Sequence, residues 1–252
     1  MRLQAVLFDL WGTLILDPPE RSLPRQTWRA HEVHRVLRDH GFRVELEPVL
    51  DALIKTSSAL GALQDQGTDL KAGGRAALFA NVIEQAAGLR VPGPALPGVE
   101  EAIGFMPEQF QPLPEPHANQ TLAAVKASGL ATALVSNAGL TTAPNLRRIL
   151  RDYDFLPHFD YLVFSDELGC AKPDRRIFQE ALDGLNLSPD VCAYVGDSPH
   201  NDIGGAQALG MFAVQIGTRT RDGITPQERI SSLDQLMPAL RTHLGVTNSA
   251  VS

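Results

Sequence analysis

Apolar residues in this chain fall into short, nearly unbroken runs at residues 3–8, 131–135, 161–164, 191–195 and 212–216. Each run is too short for a helix and lacks the polar alternation of a half-exposed strand, so each reads as a strand buried on both faces. Residues 119–128, 145–151, 175–185 and 202–209 lie between them with helical spacing. Gly129 and Gly210 close two of these stretches, and Pro173-Asp174 opens a third. Buried strands alternating with helices predict a parallel sheet covered on both faces, an α/β fold with a Rossmann-like core.

This rhythm breaks after the first strand. Residues 27–40, 48–64 and 75–88 read as amphipathic helices, with no convincing strand run among them. They predict an all-helical insertion over residues 16–113, carried by a core of residues 1–15 and 114–252. The proline-rich segment 107–116 marks the return and reads as a hinge. Residues 246–252 are small and polar and are expected to fray.

Composition narrows the class. The chain has 252 residues, and 44% apolar content supplies a sizeable core and argues against disorder. The net charge of −7 and the lack of a basic run exclude nucleic acid as an expected partner. Cys170 and Cys192 form neither a disulfide framework nor a metal knuckle and suit a reducing cytoplasm. Neither a signal peptide nor a membrane-spanning run is read in the sequence.

Chemistry gathers at the strand ends. Asp9 stops the first strand within Phe8-Asp9-Leu10-Trp11-Gly12-Thr13-Leu14, where open α/β sheets bind ligands. It is a candidate nucleophile or metal ligand. Ser136-Asn137 ends the next strand and offers a hydroxyl and backbone N–H groups to an oxyanion. Lys172-Pro173 offers an ammonium to neutralise carboxylate or phosphate. Asp197 ends a further strand, followed by Asn201 and Asp202. Two carboxylates on adjacent strand ends make a hard oxygen site suited to Mg²⁺. Taken singly, each motif reads as a turn or a helix cap. All four in order, each at a strand end, read as one site.

With these motifs the chain resembles the haloacid dehalogenase-like hydrolases. The resemblance rests on Phe-Asp-Leu-Trp-Gly-Thr-Leu, Val-Ser-Asn, Lys-Pro-Asp and Val-Gly-Asp-Ser-Pro-His-Asn-Asp, in that order. It implies a helical cap inserted after the first strand and a covalent intermediate on Asp9. It implies that Thr13, Ser136, Asn137 and Lys172 hold the transferred group. Mg²⁺ would be bound by Asp9, Asp197 and the backbone carbonyl of Trp11, while Asn201 and Asp202 orient that site or Lys172. The substrate would be a small phosphorylated molecule.

Trp11 departs from the pattern. Phosphatases of this family carry an aspartate there, which protonates the leaving oxygen and then deprotonates the attacking water. Such help is worth ~10²–10⁴-fold, about 3–5 kcal/mol. An indole N–H donates a hydrogen bond but exchanges no proton near neutral pH. Three readings follow. One is a Mg²⁺-dependent phosphatase favouring good leaving groups, with His31, His34 or His200 as a replacement base. The second is a metal-free 2-haloacid dehalogenase, a branch with an aromatic at this position, in which Arg25 or Arg29 would hold the substrate carboxylate. The third is a catalytically weak relative that binds a phosphorylated ligand or a partner. Gly196-Asp197-Ser198 is the metal-binding form of the last motif, and Phe178 stands in the neighbourhood where dehalogenases carry a tyrosine. Both favour the phosphatase. His31, His34 and His40 share a predicted helix and read as solvated or capping residues, and Cys170 reads as packing.

Overall fold

The computed structural model describes residues 2–88 and 90–241. The chain opens with β1 (Ala5–Phe8), whose four residues are fully buried. After β2 (Ile15–Leu16) come four helices: α1 (Pro19–Asp39), α2 (Leu46–Asp65), α3 (Gly74–Ala87) and α4 (Leu96–Gly104). β3 (Leu113–Pro114) returns the chain to the sheet. Then follow α5 (Ala118–Ala127), β4 (Ala131–Ser136), α6 (Ala143–Asp152), β5 (Tyr161–Phe164), α7 (Ser165–Leu168) and α8 (Arg175–Leu185). Next are β6 (Cys192–Gly196), a π-helical turn (Pro199–Gly204), α9 (Gly205–Ala208), β7 (Phe212–Ile216), β8 (Glu228–Ile230) and α10 (Leu236–Leu240).

Six strands form one parallel sheet in the order β5-β4-β1-β6-β7-β8. Val6, Phe8, Leu134, Val195 and Val214 face one apolar layer with α5, α6 and α10. Ala5, Leu7, Ala133, Val135 and Tyr194 face the other with α8 and α9. Each large apolar side chain buried here contributes about 1.5–3 kcal/mol, which explains why these short runs carried a clear strand signal. No helix among the described residues is long and apolar enough to cross a membrane.

The four helices between β2 and β3 enclose an apolar cluster of their own, including Val33, Leu37, Leu53, Phe79 and Ile103. α1 begins at Pro19, eight positions before the expected start. Pro24 reads as a helix breaker, yet it lies within the second turn. α4 was not read from the sequence because Pro97 and Gly98 mimic a turn; proline in a first helical turn costs little. The proline-rich return is ordered by β3, where Leu16 opposes Leu113 and Ile15 opposes Pro114. The helix expected at residues 202–209 begins instead with the π-helical turn, capped by the Ser198 hydroxyl, which accepts from the Asn201 N–H at 3.2 Å. Residues 246–252 lie outside the described residues.

Candidate active site

The register places Phe8 beside Leu134 of β4 and Val195 of β6, so Asp9 emerges one step beyond the centre of the sheet. Strand order diverges to either side of β1, which opens a crevice at its carboxyl end. The Asp9 N–H still donates to the Val195 carbonyl at 2.9 Å. The chain then wraps sharply: the N–H groups of Thr13, Leu14 and Ile15 all point at the Leu10 carbonyl, at 3.3, 2.9 and 3.0 Å. Gly12 takes φ +77°, and a Cβ there would lie 2.8 Å from Asp197 Cγ. Glycine is required by both the backbone and the neighbouring carboxylate.

Both oxygens of the buried Asp9 are held. Lys172 Nζ donates to Oδ1 at 2.6 Å, and Thr13 Oγ1 donates to Oδ2 at 2.9 Å. Lys172 Nζ also donates to Asp202 Oδ1 at 2.7 Å and to the Tyr194 hydroxyl at 3.0 Å. The ammonium thus spends its three protons on three acceptors. Tyr194 in turn donates to Asp202 Oδ1 at 3.1 Å, and the Ser198 N–H donates to Asp202 Oδ2 at 2.8 Å. A Cβ on Gly196 would lie 2.4 Å from Asp202 Cγ, so that strand end is also reserved for a carboxylate.

Asp9, Asp197 and Asp202 each bring an oxygen within 4.8 Å of the others. Against these three negative charges stand Lys172 and Arg219, whose Nη1 donates to Asp197 Oδ2 at 2.9 Å from an exposed position. Burial raises the Asp9 carboxyl; Lys172 pulls it down, Asp202 and Asp197 push it up, and it comes to about 7. Burial and Asp202 likewise raise Asp197. Burial alone would lower Lys172, but Asp202 and Asp9 more than offset this, and the ammonium is held. The excess negative charge and the all-oxygen donor set fit a hard divalent cation such as Mg²⁺.

Other expected residues have distinct placements. Ser136 is buried at the end of β4, its hydroxyl 3.2 Å from the Asn137 carbonyl. The Asn137 carboxamide clamps the lysine peptide: Lys172 N donates to Oδ1 at 2.8 Å, and Nδ2 donates to the Lys172 carbonyl at 3.2 Å. Asn201 Nδ2 donates to Asp65 Oδ1 at 3.1 Å, at the end of α2, and His200 meets the Asp65 carbonyl at 3.2 Å. His34 meets the Val44 carbonyl, His40 meets the Val36 carbonyl, and His31 is exposed. Among the described residues, none of these four histidines hydrogen-bonds to Asp9. Sequence reasoning missed Tyr194 and Arg219. A tyrosine in a strand buried on both faces was the available signal, because its hydroxyl must find a partner.

Above the strand ends lies a cleft of about 400 Å³, lined by Trp11, residues 137–141 and Asn201 from the sheet side. Asp17, Arg25, Arg29, Ser57, Gln64 and Asp65 line its other side. Arg25 and Arg29, one helical turn apart on the early part of α1, are both buried. Arg25 pairs with Asp17 and donates to the Phe110 carbonyl at 2.9 Å. Arg29 donates to Thr141 Oγ1 at 2.7 Å and to the Phe105 carbonyl at 3.3 Å, with no carboxylate bonded to it among the described residues. Burial, then repulsion from Arg25, lowers its guanidinium to about 9.

Comparison with known sequences settles the family. The pattern of the haloacid dehalogenase-like hydrolases matches residues 3–210. The chain belongs to the haloacid dehalogenase-like hydrolases. Among curated relatives, it is 37% identical over 129 residues to haloacid dehalogenase-like hydrolase domain-containing protein 3 of Mus musculus, across 49% of this chain and 50% of the relative. It is 33% identical over 154 residues to a phosphoserine phosphatase of Thermus thermophilus, across 56% and 59%. The chain thus spans about half the length of the first of these relatives. The fold of this family member superposes on a HAD phosphatase from Thermococcus onnurineus with a TM-score of 0.65, 21% identity and coverage of 94% and 98%. It superposes equally well on a 2-haloacid dehalogenase from Pseudomonas syringae, with a TM-score of 0.66, 21% identity and coverage of 95% and 99%. The fold therefore does not separate the two branches, and the choice between them falls to the site.

Proposed function

We propose that this protein is a Mg²⁺-dependent phosphohydrolase acting on a small phosphorylated molecule through an aspartyl-phosphate on Asp9. The observation that carries the reading is the third carboxylate. Asp197 beside Asp9 and Asp202 makes three carboxylates against the two cations Lys172 and Arg219, the second of them exposed, a surplus that metal-free halide displacement does not need. Asp9, Asp197 and the Trp11 carbonyl would hold the ion, which when bound supplies the positive charge that lets an anionic carboxylate approach an anionic phosphate.

Lys172 and Thr13 fix the Asp9 carboxylate for in-line attack. One Asp9 oxygen bonds to phosphorus as the bond to the leaving oxygen breaks, and that oxygen takes a proton from water. Water then attacks phosphorus, the bond to Asp9 breaks, and the water proton is released to solvent. Thr13, Ser136 and Lys172 are the side chains we assign to the transferred group. Asn137 serves through its hold on Lys172, and Asp202 orients the ammonium. Trp11 cannot deliver the first proton, so substrates with good leaving groups, acyl and aryl phosphates, are favoured. The helical layer of residues 16–113 is read as the cap that completes the cleft. Its buried Arg29, with no bonded carboxylate, favours a substrate whose far end is anionic.

The test is a panel of phosphoesters and acyl phosphates with and without Mg²⁺, beside 2-chloropropionate without metal. Hydrolysis that depends on Mg²⁺ supports the reading. Halide release without Mg²⁺ replaces it with the dehalogenase. Phosphate binding without turnover on either arm points to a binding protein.

Two substitutions probe the same site. Trp11→Asp is expected to raise kcat toward alkyl phosphates by ~10²-fold, with a much smaller gain for acyl phosphates. An equal gain on both classes would mean that proton transfer is not what Trp11 withholds. Arg219→Ala is expected to tighten Mg²⁺ binding about twofold to fivefold by calorimetry, because a competing surface cation leaves Asp197. Weaker binding would show Arg219 to be part of the metal site's support.

A further inference from the structure

The loop between α2 and α3 carries a buried ion pair that the chemistry above does not use. Asp69 and Arg75 have fully buried side chains, with Nη2 3.5 Å from Oδ1. Both belong to the helical layer, yet their main partners lie in the sheet unit. Asp69 Oδ2 accepts from Ser165 Oγ at the start of α7 and from Gln64 Nε2 at 2.8 Å. Ser165 Oγ accepts in turn from the Ala138 N–H at 2.8 Å. Arg75 places Nε and Nη2 on the Gly139 carbonyl at 2.8 and 2.6 Å, and Nη1 on the Leu70 carbonyl at 2.9 Å.

The same loop grips the segment leading to the lysine. The Asp69 N–H donates to the Gly169 carbonyl at 3.4 Å, and the Ala171 N–H donates to the Gly67 carbonyl at 3.0 Å. The approach is close on both sides. A Cβ on Gly169 would lie 2.7 Å from Lys71 Cε, and one on Gly67 would lie 2.9 Å from Asp174 Cβ. Asn137 and Lys172 close the ring between the two gripped segments.

The side-chain pair thus reaches the main chain of residue 139 directly and that of residue 138 through Ser165, just after Ser136-Asn137, while the main chain of the same loop holds residues 169 and 171, just before Lys172. A pair serving only to glue two layers together has no need to choose those atoms. We propose that Asp69 and Arg75 are positioning residues, which seat the Ser136-Asn137 loop and the Lys172 loop together, so that the site is assembled only while the helical layer is docked. The kinetic and phosphate arms of the test rest on the phosphohydrolase reading; the exchange arm does not.

The test uses Asp69→Asn, Ser165→Ala and the pair combined, with Arg75→Lys beside them, in the full chain. Asp69→Asn keeps the side-chain shape and guards against a variant that fails to fold. Amide hydrogen exchange at residues 137–141 and 169–172 is expected to rise at least ~10-fold, with α1 and α4 unchanged. With Mg²⁺ present, inorganic phosphate is expected to bind ~10-fold more weakly. The kcat is expected to fall ~10²-fold, as a misplacement of about 1 Å costs. Mg²⁺ affinity without phosphate is expected to fall less than phosphate affinity, because Asp197 takes no bond from this network and Asp9 is reached only through Lys172. The Asp69→Asn and Ser165→Ala effects are expected to be non-additive, since both cut one chain of bonds. Unchanged exchange at those two segments in a folded variant overturns the proposal. So does a parallel loss of Mg²⁺ binding, phosphate binding and melting temperature, which marks general loosening. A wild-type protein that neither binds nor hydrolyses phosphate fails the phosphohydrolase reading, and the exchange arm still decides on Asp69 and Arg75.

Discussion

Asp9→Asn abolishes turnover, by at least ~10⁴-fold, in a protein that remains folded. Asparagine keeps the shape of the side chain and a hydrogen-bond acceptor for Lys172, but its carboxamide cannot serve as the attacking group. The same substitution has an opposite effect on stability. The native Asp9 carboxyl is pushed up to about 7, first by burial and then by Asp202 and Asp197 against the pull of Lys172. An unfolded aspartate ionises near pH 4. A raised native value means that stability is fullest below the unfolded value and is lost as pH rises from there through about 7. A neutral carboxamide at this position carries no such penalty. Metal-free Asp9→Asn protein is therefore expected to melt no lower than wild type at pH 8. Mg²⁺ should stabilise wild type by mass action and leave the variant nearly unmoved. Kinetics on an acyl phosphate and melting curves with and without Mg²⁺ check both halves. Residual turnover above about one per cent of wild type would remove Asp9 from the nucleophile's role.

Lys172→Met strikes the other side of the same pair. Methionine fills similar volume, so the loss is one of charge. Asp9 and Asp202 are then left buried without their shared cation, which costs about 3–5 kcal/mol. For a chain of this length that is roughly a 10 °C fall in melting temperature. The deficit shrinks as pH falls, because the Asp9 carboxyl, already raised by burial, escapes it by taking up a proton. Activity is expected to fall at least ~10³-fold even where the protein is folded, as Asp9 loses its placement and the transferred group loses a cation. Melting at pH 5.5 and pH 8 separates charge from packing. An equal deficit at both would show that methionine disrupts packing and that the ion pair is not what holds this corner together.

What the sequence disclosed and what it concealed follow from one distinction. Ala5–Phe8 and Cys192–Gly196 are buried on both faces, so their apolar runs are local signals that need no knowledge of partners. Asp9 and Asp197 stand out because charges at the ends of such runs have few other reasons to be there, whereas Lys172 lies beyond α7 and Asp202 within the π-helical turn, and both were legible only through their motifs. The elements missed are those whose reasons lie elsewhere in the chain. The first turns of α1 hold although Pro24 argues against them, and they carry Arg25 to Asp17 and to the Phe110 carbonyl. β8 is a short edge strand whose residues do not form an apolar run. Asn137 was expected to face the transferred group, whereas its carboxamide is engaged by a lysine peptide thirty-five positions away. Arg75 and Asp69 give no local sign, since an arginine in a helix and an aspartate in a loop ordinarily face water. Only the docking of two layers removes them from it.

The short pairing of β2 with β3 has a consequence of another kind. Leu16 and Leu113 are direct partners, so the chain departs for the helical layer and comes back through a single doorway. From the sheet's side, the two jambs of that doorway are the same neighbours whether a whole helical layer or a brief turn lies beyond them. Asp9, its lysine and its acidic companions all stay on the near side of the threshold, while Arg25, Arg29, Asp69 and Arg75 lie beyond it. The doorway fixes only where the layer is attached; what lies beyond it must still supply the hold that Asp69 and Arg75 take on Ser165 and the Gly139 carbonyl.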